Sequence, residues 1–184
     1  MDGIERCIDD EIPFDVPETW AWARLGSVGE IVTGSTPSTT RPDYYGNEHC
    51  FFKPSDLDSG SNITCSRDML SDKGYGISRQ LKSNSVLVTC IGTIGKTGII
   101  RVEGTCNQQI NAITPNQTVS PDYLYFCCIA DFFQQSIKAN ASSTTLPILN
   151  KSKFSNLLCP IPPLAEQCRI VDRIEKLSQN VNTL

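Results

Sequence analysis

The chain has 184 residues, 39% of them hydrophobic and 20% charged, which suits one well-packed body with an appendage. Its net charge of −4 argues against strong non-specific nucleic-acid binding; no apolar run is long enough to span a membrane, and the acidic N-terminus lacks the apolar core of a secretory signal. Nine cysteines, an odd number without a CxxC pair and with only one histidine (His49), fit free, mostly buried thiols in a reducing cytoplasm better than disulfides or zinc.

In chain order, residues 1–12 show no periodicity and are expected to form a loose arm. Residues 13–17 should be extended, because residues before proline avoid the helical region. Trp20 and Trp22 alternate as on a strand or tight turn, and large aromatics of this kind usually anchor a core. Leu25–Val28 reads as a helical turn and residues 30–33 as a short strand. Residues 34–41 are dense in Gly, Ser, Thr and Pro and form a loop. This loop carries small hydroxyl donors, ends in Arg41 and leads to Tyr44 and Tyr45. It can approach a phosphate or base edge closely, or be an ordinary Ser/Thr turn.

Residues 49–52 read as a strand. His49 and Cys50 are adjacent on it, so they face opposite sides and cannot form a catalytic dyad. Residues 58–82 are polar, the part least like regular structure and most like a variable binding surface, and hold Arg67, Lys73, Tyr75 and Arg79. Residues 85–91 are apolar and β-rich, a strand. The following Cys90-Ile91-Gly92-Thr93-Ile94-Gly95-Lys96-Thr97 nearly matches a phosphate-binding loop, but Cys90 replaces its first glycine. Residues 98–102 also read as a strand, where such a loop must open a helix. A tight hairpin with Lys96 at its tip or shoulder is expected instead.

Residues 107–113 fit a strand with one buried face. Gln108, Gln109 and Asn111 carry amides that can pair with adenine or satisfy nearby backbone. Ser120, Pro121 and Asp122 make a helix start, and one helix is expected from there to about residue 140. Residues 141–145 form a Ser/Thr loop, and Asn150 caps a short helix before a strand leading to Pro160. Pro160, Pro162 and Pro163 interrupt regular structure because each lacks an N–H. Pro163 suits a first helical turn, with Glu166 near the positive end of the helix dipole. Ile170, Ile174, Leu177, Val181 and Leu184 then follow at heptad spacing, the pattern of a helix that packs along another helix.

The charge is unevenly placed. Asp2, Glu5, Asp9, Asp10, Glu11, Asp15 and Glu18 cluster near the N-terminus, leaving the rest of the chain slightly basic. Arg79, Lys82, Lys96 and Arg101 span an acid-free stretch, and Lys138, Lys151 and Lys153 lie in a second one. These can form a local basic surface or a normal solvated one.

Six segments resemble, in order, a target recognition domain from the specificity (S) subunit of type I restriction–modification systems. They are Pro17-Glu18-Thr19-Trp20-Ala21-Trp22-Ala23-Arg24-Leu25-Gly26; Thr33-Gly34-Ser35-Thr36-Pro37-Ser38; Thr89-Cys90-Ile91-Gly92-Thr93-Ile94-Gly95-Lys96; Asn107-Gln108-Gln109-Ile110-Asn111-Ala112-Ile113; Leu146-Pro147-Ile148-Leu149-Asn150-Lys151; and Pro160-Ile161-Pro162-Pro163-Leu164-Ala165-Glu166-Gln167-Cys168-Arg169-Ile170-Val171. Together the resemblance covers most of residues 13–177.

Short strands, helices and long loops suggest an α/β body, and the resemblance implies a mixed, mainly antiparallel sheet with short helices, followed by a long C-terminal coiled-coil helix. The expected division is an arm at 1–12, a target recognition domain at 13–160 and a spacer helix at 161–184. The resemblance further implies a non-catalytic cytoplasmic subunit that reads double-stranded DNA for methyltransferase (M) and restriction (R) subunits. S-adenosylmethionine, Mg²⁺ and ATP would belong to those partners, and this chain would carry no cofactor. The helix would meet a second spacer helix, in cis or by self-dimerisation. The heptads stop at Leu184 without a cap, which favours a fragment over a natural half-subunit. Residue type and loop placement nominate Thr36, Ser38, Arg41, Tyr45, Lys73, Tyr75, Arg79 and Lys96 for DNA contact. Because a motif shared by readers of different targets cannot choose among them, the amides of 107–111 are assigned to structure. Two other classes stay open: a nucleotide-binding enzyme using the Gly92–Lys96 loop, and a protein–protein interaction module.

Overall fold

The computed structural model describes residues 7–142 and 145–181. Its centre is a four-stranded antiparallel sheet in the order β2 (Gly29–Thr33), β9 (Ile110–Pro115), β6 (Val86–Thr89) and β7 (Thr97–Ile99). The remaining strands are β1 (Ala21–Arg24), β3 (Tyr45–Phe52), β4 (Asp68–Leu70), β5 (Gln80–Leu81), β8 (Gly104–Cys106) and β10 (Leu158–Ile161). They build a second sheet in the order β4-β3-β8-β5 and a two-stranded ribbon of β1 with β10. In place of the single sheet expected from the sequence there are, among the described residues, three sheets, all antiparallel except for the parallel β3–β8 pair.

The central sheet is buried on both faces, which explains why β6 reads as an unbroken apolar run. Successive side chains on a strand point to opposite sides. Val86 and Val88 join Ile113 and Ile99 in a cluster with Leu124, Cys128, Phe133, Ile137, Leu149 and Phe154, which come from the helices and the segments beside them. Leu87 joins Ile110 and Ala112 on the other face, with Phe52, Leu57, Ile63, Leu81 and Cys106 from the second sheet and its loops. The order is thus helices, central sheet, second sheet.

The helices are α1 (Leu25–Val28), α2 (Asp72–Gly76), α3 (Pro121–Ile129), α4 (Asp131–Asn140), α5 (Lys151–Ser155) and α6 (Leu164–Val181). Ser120 caps α3 by accepting from the Tyr123 N–H, and Asn150 caps α5 by accepting from Lys153. The one helix expected over 120–140 is broken at Ala130, which is extended at φ −66° and ψ 146°. The break lets both segments bury their apolar residues: Tyr123, Leu124, Cys127 and Cys128 from α3, Phe133 and Ile137 from α4. The Gln134 side chain bridges it, its Nε2 donating to Cys128 O and Gly95 O, both at 2.8 Å.

Three further expectations are corrected. Residues 58–82 are not irregular: β4, α2 and β5 lie within them. The strand expected over 98–102 ends at Ile99 as part of β7. Pro160 does not stop a strand but sits within β10, opposite Trp22. A two-stranded ribbon has a free edge on each strand, and proline is tolerated on edges because its missing donor has no ladder partner to serve.

Near the N-terminus, the turn Asp9–Glu11 is held to the body by a salt bridge from Arg24 to Glu11 at 2.5 Å. Phe14, Trp22 and Phe132 form an edge-to-face trio, which agrees with a packing role for Trp22. All nine cysteines are free thiols, and Cys90, Cys106, Cys127, Cys128 and Cys159 are buried. The start of α6 is locked by Gln167, which is fully buried. Its Oε1 accepts from Ser120 N, and its Nε2 donates to Thr118 O and Pro162 O. No helix among the described residues is long and apolar enough to cross a membrane.

Candidate nucleic-acid interface

The loop over 34–44, the second sheet and α2 form one polar surface. The loop is tied at its base by backbone bonds from Gly34 N to Ile110 O and from Ser35 N to Cys106 O. Pro37 is buried and its carbonyl accepts from the Tyr45 hydroxyl at 2.8 Å. Thr36 donates to Gln108 Oε1, which joins the loop to the turn before β9. Ser38 pairs with the Thr40 hydroxyl at 2.9 Å on the exposed crest.

Asp43, which the sequence reading passed over, is the hub of this surface. Arg41 donates to both of its carboxylate oxygens at 2.9 Å, and Lys73 reaches Oδ2 from α2. The Tyr44 ring lies under both cations, 4.9 Å from the Arg41 guanidinium carbon and 5.7 Å from the Lys73 ammonium. Hydrogen bonds from Arg41 and Lys73 hold the Asp43 carboxyl well below its usual pKa, and Asp43 raises that of Arg41. Ser71 secures the joint by donating its hydroxyl to Asp43 O and capping α2 through Gly74 N. Next to it, the Tyr75 ring stacks on His49 at 4.0 Å and 9°, and His49 Nε2 lies 2.8 Å from Asp72. Burial, with a contribution from Glu103, raises the Tyr75 phenol pKa.

The nominated residues therefore divide. Arg41, Tyr45, Lys73 and Tyr75 gather around the loop, β3 and α2, with Thr36 and Ser38 on the same loop. Arg79 turns to the backbone, its Nη1 donating to Thr33 O at 2.6 Å. Lys96 stands on the β6–β7 hairpin and pairs with Asp58 at 2.5 Å. Gly92 and Gly95 supply that hairpin with positive φ angles of 77° and 91°. The hairpin feeds strand β7 instead of opening a helix, so it lacks the row of N–H groups and the dipole that cradle a nucleotide phosphate.

The amides of 107–111 are engaged internally. Asn111 is fully buried, donating to Leu149 O and accepting from Thr33, while Gln109 accepts from Asn107. The basic stretch around Arg101 is also absorbed: Arg101 bonds Ser61 O, Asn84 Oδ1 and Asp122. The missed acids, Asp43, Asp58 and Asp72, each lie in a loop or first turn; Asp43 and Asp58 face nominated cations, while Asp72 faces His49. Only Asp43, two residues from Arg41, carries a local signal. The other pairings join elements distant in sequence.

On α6, Ile170 packs against the main core and Val171 is buried, while Leu164 and Leu177 are 47% and 50% exposed. Leu184 and the Val181 side chain lie outside the described residues. Among the described residues no group of His, Cys, Asp or Glu is arranged to hold a metal ion.

The chain is thus a layered α/β body with a polar, cation-bearing loop surface and a C-terminal helix. Residues 17–184 match the family model of the type I restriction modification DNA specificity domain, and the chain belongs to that family. It is 32% identical over 173 residues to the HindI specificity subunit of Haemophilus influenzae, covering 90% of this chain and 38% of that one. It is 27% identical over 159 residues to the MjaIX specificity subunit of Methanocaldococcus jannaschii, covering 84% of this chain and 37% of that one. The chain thus spans about two fifths of the length of these relatives. The fold matches the HsdS subunit from Thermoanaerobacter tengcongensis with a TM-score of 0.73 at 23% identity, over 93% of this chain and 40% of that one. It matches a chain from a type I R-M system complex with a TM-score of 0.76 at 24% identity, over 93% and 41%.

Proposed function

We propose that this chain is a non-catalytic, sequence-reading part of a type I restriction–modification system, acting on double-stranded DNA beside methyltransferase and restriction subunits. Its membership of the DNA specificity domain family carries this reading. Residues 13–160 serve as the target recognition domain, and 161–184 as a spacer helix that meets a second such helix, in cis or from another copy. S-adenosylmethionine, Mg²⁺ and ATP act on the partner subunits, and the complex works in the cytoplasm.

On the polar surface, Arg41 and Lys73 supply phosphate contacts that set position, with Arg79 and, from the separate β6–β7 hairpin, Lys96 as further cations that must first leave their internal partners. Thr36, Ser38, Tyr45 and Tyr75 supply hydroxyl and ring contacts near base edges. The negative total charge limits non-specific binding, so recognition relies on a few local contacts more than on a broad basic field.

Methylation-site mapping tests this in cells that carry the partner methyltransferase, with the full gene intact or deleted. The expected result is loss of one split motif on deletion, and exchange of residues 34–82 should alter one half of it. An unchanged methylome would remove the main support for sequence reading and bring forward the protein–protein interaction module.

A further inference from the structure

We propose that Asp43 is an internal stand-in for a DNA backbone phosphate: it holds Arg41 and Lys73 as a preformed cation fork in the free protein and competes with DNA for them. The inference rests on the DNA-reading function above and assigns a role to a residue on the same surface.

The geometry is that of an occupied anion site. Arg41 offers Nε and Nη2 to the two Asp43 oxygens, both at 2.9 Å, the two-pronged arrangement that the non-bridging oxygens of a phosphodiester also accept. Lys73 arrives from a separate element, 30 residues later in the chain, and meets the same Oδ2. Tyr44 supports both cations from below. Two cations from different elements, converging on one oxygen over an aromatic ring, are held where a phosphate would need them. The Asp43 side chain is 41% exposed, so an incoming anion can reach the site.

The trio keeps one net positive charge. It still attracts a polyanion, but more weakly than two free cations would. Asp43 thereby preorganises the fork and lowers its pull on DNA of any sequence. Base-edge contacts elsewhere on the surface would have to supply the free energy that displaces the carboxylate, so the device favours correct over incorrect sites.

The test uses the full 184-residue chain and a random-sequence DNA duplex, with fluorescence anisotropy read across a salt series. Asp43→Asn should bind roughly fivefold more tightly at low salt, since removing a unit charge near 4 Å in water is worth about that factor. Its plot of log affinity against log salt should steepen by about 0.9 if the freed charge takes one further phosphate. Arg41→Gln and Lys73→Gln should each weaken binding. If both weaken binding while Asp43→Asn gives no gain, the stand-in role is overturned and the DNA-reading surface stands. If neither weakens it and Asp43→Asn gives no gain, both the role and the placement of the surface fall. A second readout needs no substitution: in the unaltered chain, the Arg41 Nε–H resonance should shift as duplex is added. A resonance that stays fixed at saturating DNA overturns the exchange of partners.

Discussion

Gly74 shows how one residue without a side chain sets the polar surface. A Cβ built there would lie 2.0 Å from the Tyr44 carbonyl oxygen, so α2 can press against the turn at Tyr44 only with glycine in place. Gly74→Ala should therefore cost on the order of 2 kcal/mol in urea unfolding, by the usual scale of overpacking, and should separate Lys73 from Asp43. Asp43 gives a second prediction at this scale. Its folded pKa is depressed, so its ion pairs are fully formed above the unfolded value, near 3.8, and are lost as pH falls through the lower folded value. Carbon NMR should show the Asp43 carboxyl titrating below 3.8, and Arg41→Gln should move that midpoint upward.

Among the elements, α6 is divided between two tasks. Its first turn is fastened to the body through Gln167, whose side chain satisfies one N–H and two carbonyls. Gln167→Leu would leave these groups unpaired and should lower unfolding stability by about 3 kcal/mol, measured with urea. Further along, Leu177 is half exposed, so Leu177→Glu should change the stability of the body by less than about 0.5 kcal/mol. If the helix pairs with another, the same change should reduce that association in sedimentation or crosslinking. The broken helix belongs here too. Ala130 carries no proline, glycine or cap signal, because the break answers the need of α3 and α4 to bury residues in different directions. The β6–β7 hairpin was legible by contrast, since two glycines between β-rich runs leave few other solutions.

For the whole molecule, burial grades the nine thiols: five are buried, Cys50 is half-buried and three are exposed. Desolvation pushes Cys90 up to about 11 and Cys106 up to about 12, and also raises Cys128, while Cys127 is raised first by its hydrogen bond with Cys159. Alkylation of the native chain at pH 8 should label exposed Cys7, Cys65 and Cys168 and spare these four until the protein unfolds, as read by peptide mass spectrometry. The amino-acid sequence by itself determined the family, the positions of several strands, the caps at Ser120 and Asn150, the hairpin before Thr97 and the core role of the adjacent Cys127 and Cys128. These follow from local chemistry: a cap, a glycine or an apolar alternation constrains its own neighbours. Only the tertiary structure decided that there are three sheets, that residues 58–82 hold regular elements, that Pro160 lies in a ribbon, and that Arg41, Lys73 and Lys96 each face a carboxylate. Those outcomes depend on which elements meet across the layers. Partners far apart in the chain leave no spacing in the sequence from which their meeting could be read.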